Sequence, residues 1–330
     1  MSMSVLQAEN HSLMPNTDPL LTIFTAPKPF TDPHIRLIQR NALQSWLQLG
    51  NEVGVIMVGE EPGMAEFAAE VGIRQLPGVS RNSLGTPLVS SIFALARQAS
   101  TSPLLAYINA DILLTPQFVA IANQVHNQMK QFLIVGQRYD LDVQQPIDFG
   151  PGWQSKLGSE VLERGRLHPP AGSDYFIFPR TCFSELPDFT IGRAGWDNWM
   201  IFHARLQHIP VIDASPEIMV IHQEHDYAHL PGGQPHYRLP ESSENTRLAG
   251  GRRAIFHLED ADYTLKDGQT RRVPLRFRKV VREIEIYPLI HLHSKALAEV
   301  SFAIFHPLKA WKEYRGRLAY KVSRMKASDA

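Results

Sequence analysis

Residues 104–111 read Leu-Leu-Ala-Tyr-Ile-Asn-Ala-Asp, an apolar run that ends in two oxygen-bearing side chains, Asn109 and Asp111. The apolar residues predict a buried strand over 104–108. In an open α/β sheet, ligands bind beyond the carboxyl ends of the strands, and hard cations such as Mg²⁺ and Mn²⁺ prefer oxygen ligands. The stretch therefore indicates a metal site that could bridge to phosphate oxygens. A strand-ending turn, with Asp111 as a cap, fits the same residues.

Strands and helices alternate on both sides of this stretch. Up to residue 135 the apolar spacing predicts strands over 20–25, 52–58, 74–76, 104–108 and 132–135, and helices over 34–49, 64–71, 87–100 and 116–129. This alternation predicts an α/β fold with a mostly parallel, doubly wound sheet flanked by helices. Thr25, Gly59 and residues 109–111 each follow a strand end, so we expect them at one edge of the sheet.

The pattern changes after residue 135. Residues 137–167 are polar and irregular, and residues 223–251 are rich in His, Pro and Gly, which predicts a long loop. From residue 271 the chain is basic, and an apolar stretch within it predicts a partly helical C-terminal extension. The elements predicted for this part are strands over 173–178, 210–212 and 218–221, a helix over 196–206 and partial helix over 284–305.

Composition narrows the class of protein. The chain has 330 residues with 44% hydrophobic and 20% charged, which is ordinary globular usage. Lys plus Arg equals Asp plus Glu at 33 each, so net charge gives no support for a nucleic-acid partner. The single cysteine, Cys182, rules out an intramolecular disulfide and a cysteine metal cluster. The polar N-terminus lacks the features of a signal peptide and no apolar stretch is long enough for a membrane span, so we expect a cytoplasmic protein.

A second candidate site lies in residues 192–200, Gly-Arg-Ala-Gly-Trp-Asp-Asn-Trp-Met. The glycines lead into a predicted helix whose first turn contains Asp197, and the helix dipole would keep that carboxylate ionised. An ionised carboxylate there can accept a proton from a hydroxyl nucleophile. Trp196 and Trp199 offer flat apolar faces for a sugar ring. Core packing of both tryptophans and a structural role for Asp197 remain the alternative.

Two further segments carry candidate residues. His222 lies at the end of a predicted strand, and His225 and Asp226 follow it. A neutral histidine is a common metal ligand, but a histidine with a purely structural role fits the pattern equally well. In the loop 80–85, Arg81 is placed to contact a phosphate or a base. Asn82 and Gly85 in the same loop tolerate unusual backbone angles. A plain surface loop with a helix cap is the alternative for that segment.

Taken in order, these motifs over residues 20–227 resemble the GT-A glycosyltransferases, in particular the family 2-like branch. The resemblance assigns nucleotide-sugar binding to Thr25, Ala26 and Pro27 after the first strand, to Arg81 and Asn82, and to Asn109 and Asp111 as the DxD-like motif. It assigns the acceptor side to Asp174, Tyr175, Trp196 and Asn198. Asp197 corresponds to the acid of the xED motif, the catalytic base of inverting members, and His222 to the C-terminal histidine that binds metal or phosphate.

The resemblance implies a hexosyltransferase that uses Mn²⁺ or Mg²⁺, held by Asp111 and His222. Asn109 stands where the first Asp of the motif usually lies, so those two residues would provide most of the metal binding. A nucleotide-sugar donor is implied, with a UDP-sugar favoured over a GDP-sugar, and a glycan or lipid-linked acceptor. The implied division of the chain is a flexible start over 1–18, a nucleotide-sugar-binding half over 19–135, an acceptor-binding and catalytic half over 136–250, and the basic extension over 251–330.

Other functions fit part of the pattern. A nucleotidyltransferase shares the βαβ start and an acid-held Mg²⁺, but it usually has a glycine-rich loop after the first strand, where this chain has Ala-Pro-Lys-Pro at 26–29. A non-catalytic nucleotide-sugar-binding protein would be consistent with Asn109. The basic C-terminal region indicates either peripheral contact with an anionic membrane or a polymerised acceptor, or else a solvated helix face.

Overall fold

Thirteen strands lie in the part of the chain that the computed structural model describes, residues 18–225 and 236–328. They are β1 Leu21–Thr25, β2 Val53–Val58, β3 Arg74–Leu76, β4 Leu104–Ile108, β5 Ile112–Leu113, β6 Leu133–Val135, β7 Arg138–Leu141, β8 Arg166–Leu167, β9 Tyr175–Pro179, β10 Val211–Asp213, β11 Val220–Gln223, β12 Tyr263–Lys266 and β13 Gln269–Arg272.

Ten α-helices accompany these strands within the same described residues. They are α1 Pro33–Leu47, α2 Met64–Val71, α3 Val89–Ala99, α4 Gln117–Gln128, α5 Trp153–Arg164, α6 Trp196–Leu206, α7 Pro240–Leu248, α8 Phe277–Ile290, α9 Lys295–Phe305 and α10 Pro307–Ser328. None of the helices in the described residues is both long and apolar enough to cross a membrane.

A nine-stranded sheet organises the fold, in the order β13-β12-β10-β6-β9-β4-β1-β2-β3. Neighbouring strands are parallel except at β9, which runs antiparallel to β4 and β6, and at β13, which runs antiparallel to β12. The predicted α/β fold with a mostly parallel sheet flanked by helices is confirmed. The predicted strands and the helices predicted up to residue 206 lie within two residues of their expected bounds, whereas the helix predicted from residue 284 begins at Phe277. The direction of β9 was not predicted, because apolar patterning does not encode strand direction.

The sheet is covered on both faces, and adjacent residues of one strand enter different cores. Ile23 packs on the side that also contains Trp46 and Phe118, whereas Phe24 packs on the side that contains Phe93 and Trp196. This follows from the two-residue period of a strand, which directs successive side chains to opposite faces. All five residues of β4 are buried, which explains its unbroken apolar sequence.

A smaller sheet, in the order β5-β11-β7-β8, lies beyond the end of β4. Strand β11 runs parallel to β7 and antiparallel to β5. In this register His222 pairs with Asp140 on one side and with Ile112 on the other. The small sheet therefore brings His222 next to Asp111, the residue that immediately precedes β5.

Two predictions of irregular structure were wrong. The segment 137–167 contains β7, α5 and β8, and the segment 223–251 contains α7. Helix α5 buries only Trp153, Leu157 and Val161 in an otherwise polar stretch, and the residues that α7 buries are polar. Because neither helix shows a broad apolar stripe, hydrophobic periodicity could not reveal them. The expectation of a flexible start, apart from residue 18, and the suggestion of Asp226 as a ligand fall outside the described residues.

The C-terminal extension is partly helical, as predicted, and its α-helices are α8, α9 and α10. Two strands of the extension, β12 and β13, also join the edge of the main sheet next to β10. One sheet thus includes strands from the first half, the second half and the extension of the chain.

Candidate active site

A cavity of about 670 Å³ opens where β1 and β4 end, between the start of α6 and the small sheet. Its position matches the general rule that ligands bind at the carboxyl ends of parallel strands. Ten of the thirteen residues predicted from the sequence line it: Ala26, Pro27, Arg81, Asn109, Asp111, Asp174, Trp196, Asp197, Asn198 and His222.

The other three predicted residues, Thr25, Asn82 and Tyr175, are placed differently. Thr25 is fully buried at the end of β1, and Tyr175 is fully buried on the opposite face of the sheet against Phe118. The Asn82 side chain accepts from the backbone N–H groups of Leu84 and Thr86, at 2.9 Å each. Asn82 therefore shapes the loop that presents Arg81 to the cavity, but Asn82 itself does not line the cavity.

Asp111 lies at the centre of a compact group of potential metal ligands. Its Oδ2 atom is 3.2 Å from His225 Nε2 and 4.0 Å from His222 Nε2, and its Oδ1 atom is buried without a hydrogen-bond partner among the described residues. One ligand atom from each of the three residues lies within 4.8 Å of the others. A buried orphan carboxylate oxygen beside two imidazoles fits a divalent cation, so the residues present suit the metal that the resemblance implies.

Charge around Asp111 keeps it ionised. Burial by itself would raise the pKa of Asp111, but the hydrogen bond from His225 and the charges of His222 and Lys28 lower that pKa well below its usual range. Lys28 Nζ is 3.8 Å from Asp111 Oδ2 and 3.1 Å from His225 Nε2. Burial lowers the pKa of Lys28, against the opposing effect of Asp111. The site thus contains a protein cation next to its candidate metal ligands.

Asp140 lies beside His222 on the side of the ring away from Asp111. The Nδ1 atom of His222 lies 3.3 Å from Asp140 Oδ1, an ion-pair distance without the alignment of a hydrogen bond. Asp140 also accepts from Arg138 Nε at 2.9 Å and contacts His168 Nδ1 at 2.7 Å. Burial would raise the pKa of Asp140, but His222, His168 and Arg138 lower it below its usual range. A carboxylate behind a ligand histidine is the usual arrangement that fixes ring orientation in metal sites.

Asn109 is engaged with other side chains of the site. Its Nδ2 atom donates to Asp174 Oδ1 at 2.9 Å, and its Oδ1 atom accepts from the Tyr107 hydroxyl at 3.0 Å. Arg138 holds the other oxygen of Asp174 at 2.6 Å. Asn109 therefore orients Asp174 through its amide nitrogen, and its amide oxygen accepts from the Tyr107 hydroxyl.

Asp197 lies in the first turn of α6, as predicted. Gly195 caps this helix with a φ of 106°, a conformation that favours glycine, and its N–H faces Asp197 Oδ1 at 3.3 Å. Burial raises the pKa of Asp197, and the charge of Asp174 raises it further against the backbone hydrogen bonds. Burial raises the pKa of Tyr107, and the charges of Asp111, Asp174 and Asp197 raise it further.

The aromatic and amide side chains near Asp197 have structural contacts as well. Trp196 packs edge-on against Tyr107 with ring centroids 5.1 Å apart, and Trp199 stacks on His203 in the core. The core alternative therefore holds for Trp199, whereas Trp196 both packs in the core and lines the cavity. Asn198 Nδ2 donates to Phe256 O at 2.7 Å, which attaches the C-terminal part of the chain to the site.

Sequence reasoning missed six cavity-lining residues with charged or titratable side chains: Lys28, Glu61, Tyr107, Arg138, His168 and Arg193. Arg138 and the buried Asp140, which form an ion pair, lie two residues apart on β7. Because strand side chains alternate, both point to the same face of the strand. That spacing was a usable signal, but it lay in a segment taken to be irregular. Glu61 pairs with Arg81 at 2.8 Å, a contact between two loops at the cavity that no local pattern encodes.

No protein-family model matches the chain, and no curated protein matches its sequence. Among solved structures, the chain is similar to Staphylococcus aureus TarS 1–349 in complex with UDP-GlcNAc, with a TM-score of 0.45 and 10% identity over 69% of this chain. A second structure of TarS 1–349 has a TM-score of 0.40 and 9% identity over 69% of this chain. The mannosyltransferase PcManGT from Pyrobaculum calidifontis, in complex with GDP-Man and Mn²⁺, has a TM-score of 0.39 and 13% identity over 63% of this chain.

The chain spans less than two thirds of each of these structures, namely 65%, 64% and 57% of their lengths. The fold described above accordingly rests on the strand order and pairing directions of this chain.

Proposed function

We propose that this protein is a glycosyltransferase that moves a sugar from a nucleoside-diphosphate sugar to a hydroxyl acceptor. The observation that carries the proposal is the arrangement of Asp111 and Asp197. Both carboxylates line one cavity at the carboxyl ends of parallel strands. Two histidines and a lysine favour the ionised form of Asp111, whereas burial disfavours the ionised form of Asp197. Such a difference assigns separate roles to two acids of one site.

Asp111, His222 and His225 are the residues that would hold Mn²⁺ or Mg²⁺. When bound, the cation would stabilise the negative charge that develops on a departing diphosphate. Lys28 adds an amino group 3.8 Å from Asp111, and the Asp140 carboxylate lies 3.3 Å from His222 Nδ1, where it would orient the ring. The protein itself thus provides a positively charged environment for the diphosphate.

Arg81 and the segment 26–27 are proposed to hold the nucleotide. Ala26 and Pro27 line the cavity at the end of β1, and Arg81 lies across from them with its guanidinium bonded to Glu61 and to Gly85 O. These contacts fix the guanidinium plane before a donor arrives. A UDP-sugar is our favoured donor, with a GDP-sugar as the alternative.

Asp197 is proposed as the base that accepts the proton of the acceptor hydroxyl. Its raised pKa makes its carboxylate a better proton acceptor than a free aspartate. The oxygen of the hydroxyl would then attack the anomeric carbon as the bond from that carbon to the diphosphate oxygen breaks, which gives inversion. Asp174, Trp196 and Asn198 border the same part of the cavity and form the proposed acceptor side for a glycan or a lipid-linked sugar.

The experiment is a transfer and hydrolysis assay with UDP-, GDP- and dTDP-sugars, with and without Mn²⁺, on the wild type and on Asp197→Asn. We expect turnover of one donor class by the wild type and its loss in the variant. Thermal stabilisation by a donor without any turnover would instead support a non-catalytic nucleotide-sugar-binding protein. Release of pyrophosphate from a sugar phosphate and a nucleoside triphosphate would support a nucleotidyltransferase.

A further inference from the structure

The C-terminal helices α8, α9 and α10 turn apolar side chains towards solvent. Among the described residues, eighteen large hydrophobic side chains are exposed, and thirteen of them lie between 275 and 318. They include Phe277 at 82%, Leu308 at 80% and Trp311 at 59% exposure. Single exposed hydrophobic residues are normal on a protein surface, but such a concentration in one segment marks an interaction surface.

The exposed side chains form helical stripes. On α8 they are Phe277, Val280, Ile284 and Tyr287, spaced by three and four residues, and the buried apolar residues of that helix are Ile286, Leu289 and Ile290 on its opposite side. The same spacing recurs at the exposed residues of the next two helices, which are Leu297, Val300 and Ile304 on α9 and Leu308, Trp311, Tyr314 and Leu318 on α10. We call these three stripes together the C-terminal face.

These helices are attached firmly to the rest of the protein. Ser301 Oγ donates to Glu285 O at 2.9 Å, and His306 Nε2 lies 3.2 Å from Glu285 Oε2, so α9 is bonded to α8. Arg253, which precedes these three helices in the chain, pairs with Glu299 and Glu313 and lies over the Phe302 ring. The exposure of the stripes therefore belongs to the folded state and does not result from detached helices.

Charge is divided sharply along the chain. Residues 271–330 contain fourteen Lys or Arg and five Asp or Glu, a net charge of +9, whereas residues 1–270 contain nineteen and twenty-eight, a net charge of −9. The overall neutrality of the protein therefore conceals a basic C-terminal segment that carries the apolar stripes. A surface that combines outward apolar stripes with Lys and Arg is suited to the interface of an anionic bilayer.

We propose that the C-terminal face docks on an anionic lipid bilayer. The apolar stripes would enter the boundary between headgroups and acyl chains, Lys and Arg would contact anionic headgroups, and Trp311 and Tyr314 would lie at headgroup level. A hydrated polyanion would match the charge but gain nothing from the apolar stripes. A symmetric contact with a second copy would bring two basic segments together, with like charges opposed.

The docking proposal stands apart from the proposed glycosyl transfer, because none of its residues lines the cavity. The test is flotation of the full chain with vesicles of phosphatidylcholine alone or of phosphatidylcholine with phosphatidylglycerol, at low and high salt. The apolar variant is Phe277→Ser with Trp311→Ser, and the charge variant is Lys309→Glu with Lys312→Glu. The control is Leu47→Ser with Leu162→Ser, which removes two exposed side chains, at 40% and 80%, outside both the C-terminal face and the cavity.

We expect the wild type to bind the anionic vesicles and to lose binding as salt rises. The apolar variant should bind at least about tenfold more weakly, and the charge variant about fivefold more weakly for each cation removed. The control should bind as the wild type does. All variants change exposed side chains, so an unaltered melting temperature and unaltered transfer to a water-soluble acceptor would show that folding and catalysis are intact.

Three results would overturn the proposal. The first is a wild type that floats with neither vesicle, and the second is binding to a soluble anionic polysaccharide without binding to vesicles. The third is a wild-type dimer, measured by light scattering, that the apolar variant converts to a monomer while vesicles remain unbound. Inactive protein that still binds vesicles would count against the proposed enzyme function and leave the docking proposal standing.

Discussion

The side-chain amide of Asn109 donates to Asp174 at 2.9 Å, so the residue that resembles the first acid of a metal motif serves to hold a second carboxylate in place. Its amide oxygen accepts from the Tyr107 hydroxyl, so both ends of the amide have partners. An aspartate at this position could not donate to Asp174. The contacts to Asp174 and Tyr107 therefore require both the donor and the acceptor of an amide at position 109.

Asn109→Asp should reduce both stability and activity instead of strengthening metal use. The variant loses the donor to Asp174 and places two carboxylates together, a change that we expect to cost about 1–3 kcal/mol. Thermal unfolding and transfer rates over a Mn²⁺ titration would measure the effect. Asn127→Asp, an exposed position on α4, is the matched control. A variant with tighter Mn²⁺ activation and normal stability would show that Asn109 is a direct ligand position.

Asp197→Asn should lower the rate of transfer by roughly 10²–10⁴-fold while donor affinity stays near normal, since general-base catalysis contributes on that order. The amide can still accept the hydrogen bond from the Gly195 N–H, so the start of α6 should remain intact. Steady-state kinetics together with calorimetric titration of the donor separate the two effects. Undiminished turnover would remove Asp197 from the mechanism.

The raised pKa of Asp197 also predicts a dependence of stability on pH. Because the folded state disfavours the ionised form, the charge destabilises the fold at pH values above the unfolded pKa of about 3.9, and the penalty disappears below it. Asp197→Asn should therefore melt at a higher temperature than the wild type at neutral pH, and the difference should shrink as the pH approaches 4. A difference that is constant over this pH range would contradict the assigned shift.

Asp140→Asn should weaken activation by Mn²⁺ by about 10–100-fold, the usual effect of removing a carboxylate that orients a ligand histidine. Because Asp140 acts through His222, the maximal rate at saturating Mn²⁺ should change less than the Mn²⁺ concentration for half activation. Asp142→Asn, an exposed acid two residues away, provides the control. Equal loss of rate at every Mn²⁺ concentration would indicate a purely structural role.

Lys28→Met should weaken donor binding by about tenfold or more, because a hydrogen bond to a charged group contributes about 1.5–3 kcal/mol. The methionine keeps most of the length of the side chain beside Asp111 and removes its charge. Competition experiments with the nucleoside and the nucleoside diphosphate locate the effect, since only the diphosphate should be sensitive. Lys156→Met, an exposed change on α5, is the control, and equal affinity of wild type and variant for the diphosphate would rule out contact with Lys28.

Much of the fold was predictable because its strands and helices bury apolar faces with regular periods. The elements up to residue 135, and later α6, follow that pattern. Helix α7 does not, since it buries Glu241, Ser242 and Asn245. The Glu241 carboxylate accepts hydrogen bonds from the Asn82 and Arg193 side chains, and the Asn245 side chain donates to Thr190 O. A helix stabilised by polar contacts from distant segments leaves no period in its own sequence.

The sequence by itself placed Asp111 directly after a buried strand, Asp197 in the first turn of a helix and His222 at the end of a later strand, and the resemblance assigned all three to one site. Only the tertiary structure decided what each of them contacts. It placed Lys28 beside Asp111, Asp140 behind His222 and Asp174 against Asn109. The physical reason is that strand ends are set by local hydrophobic patterning, whereas hydrogen bonds and pKa values depend on partners that are tens of residues away in the chain and are brought close only by packing.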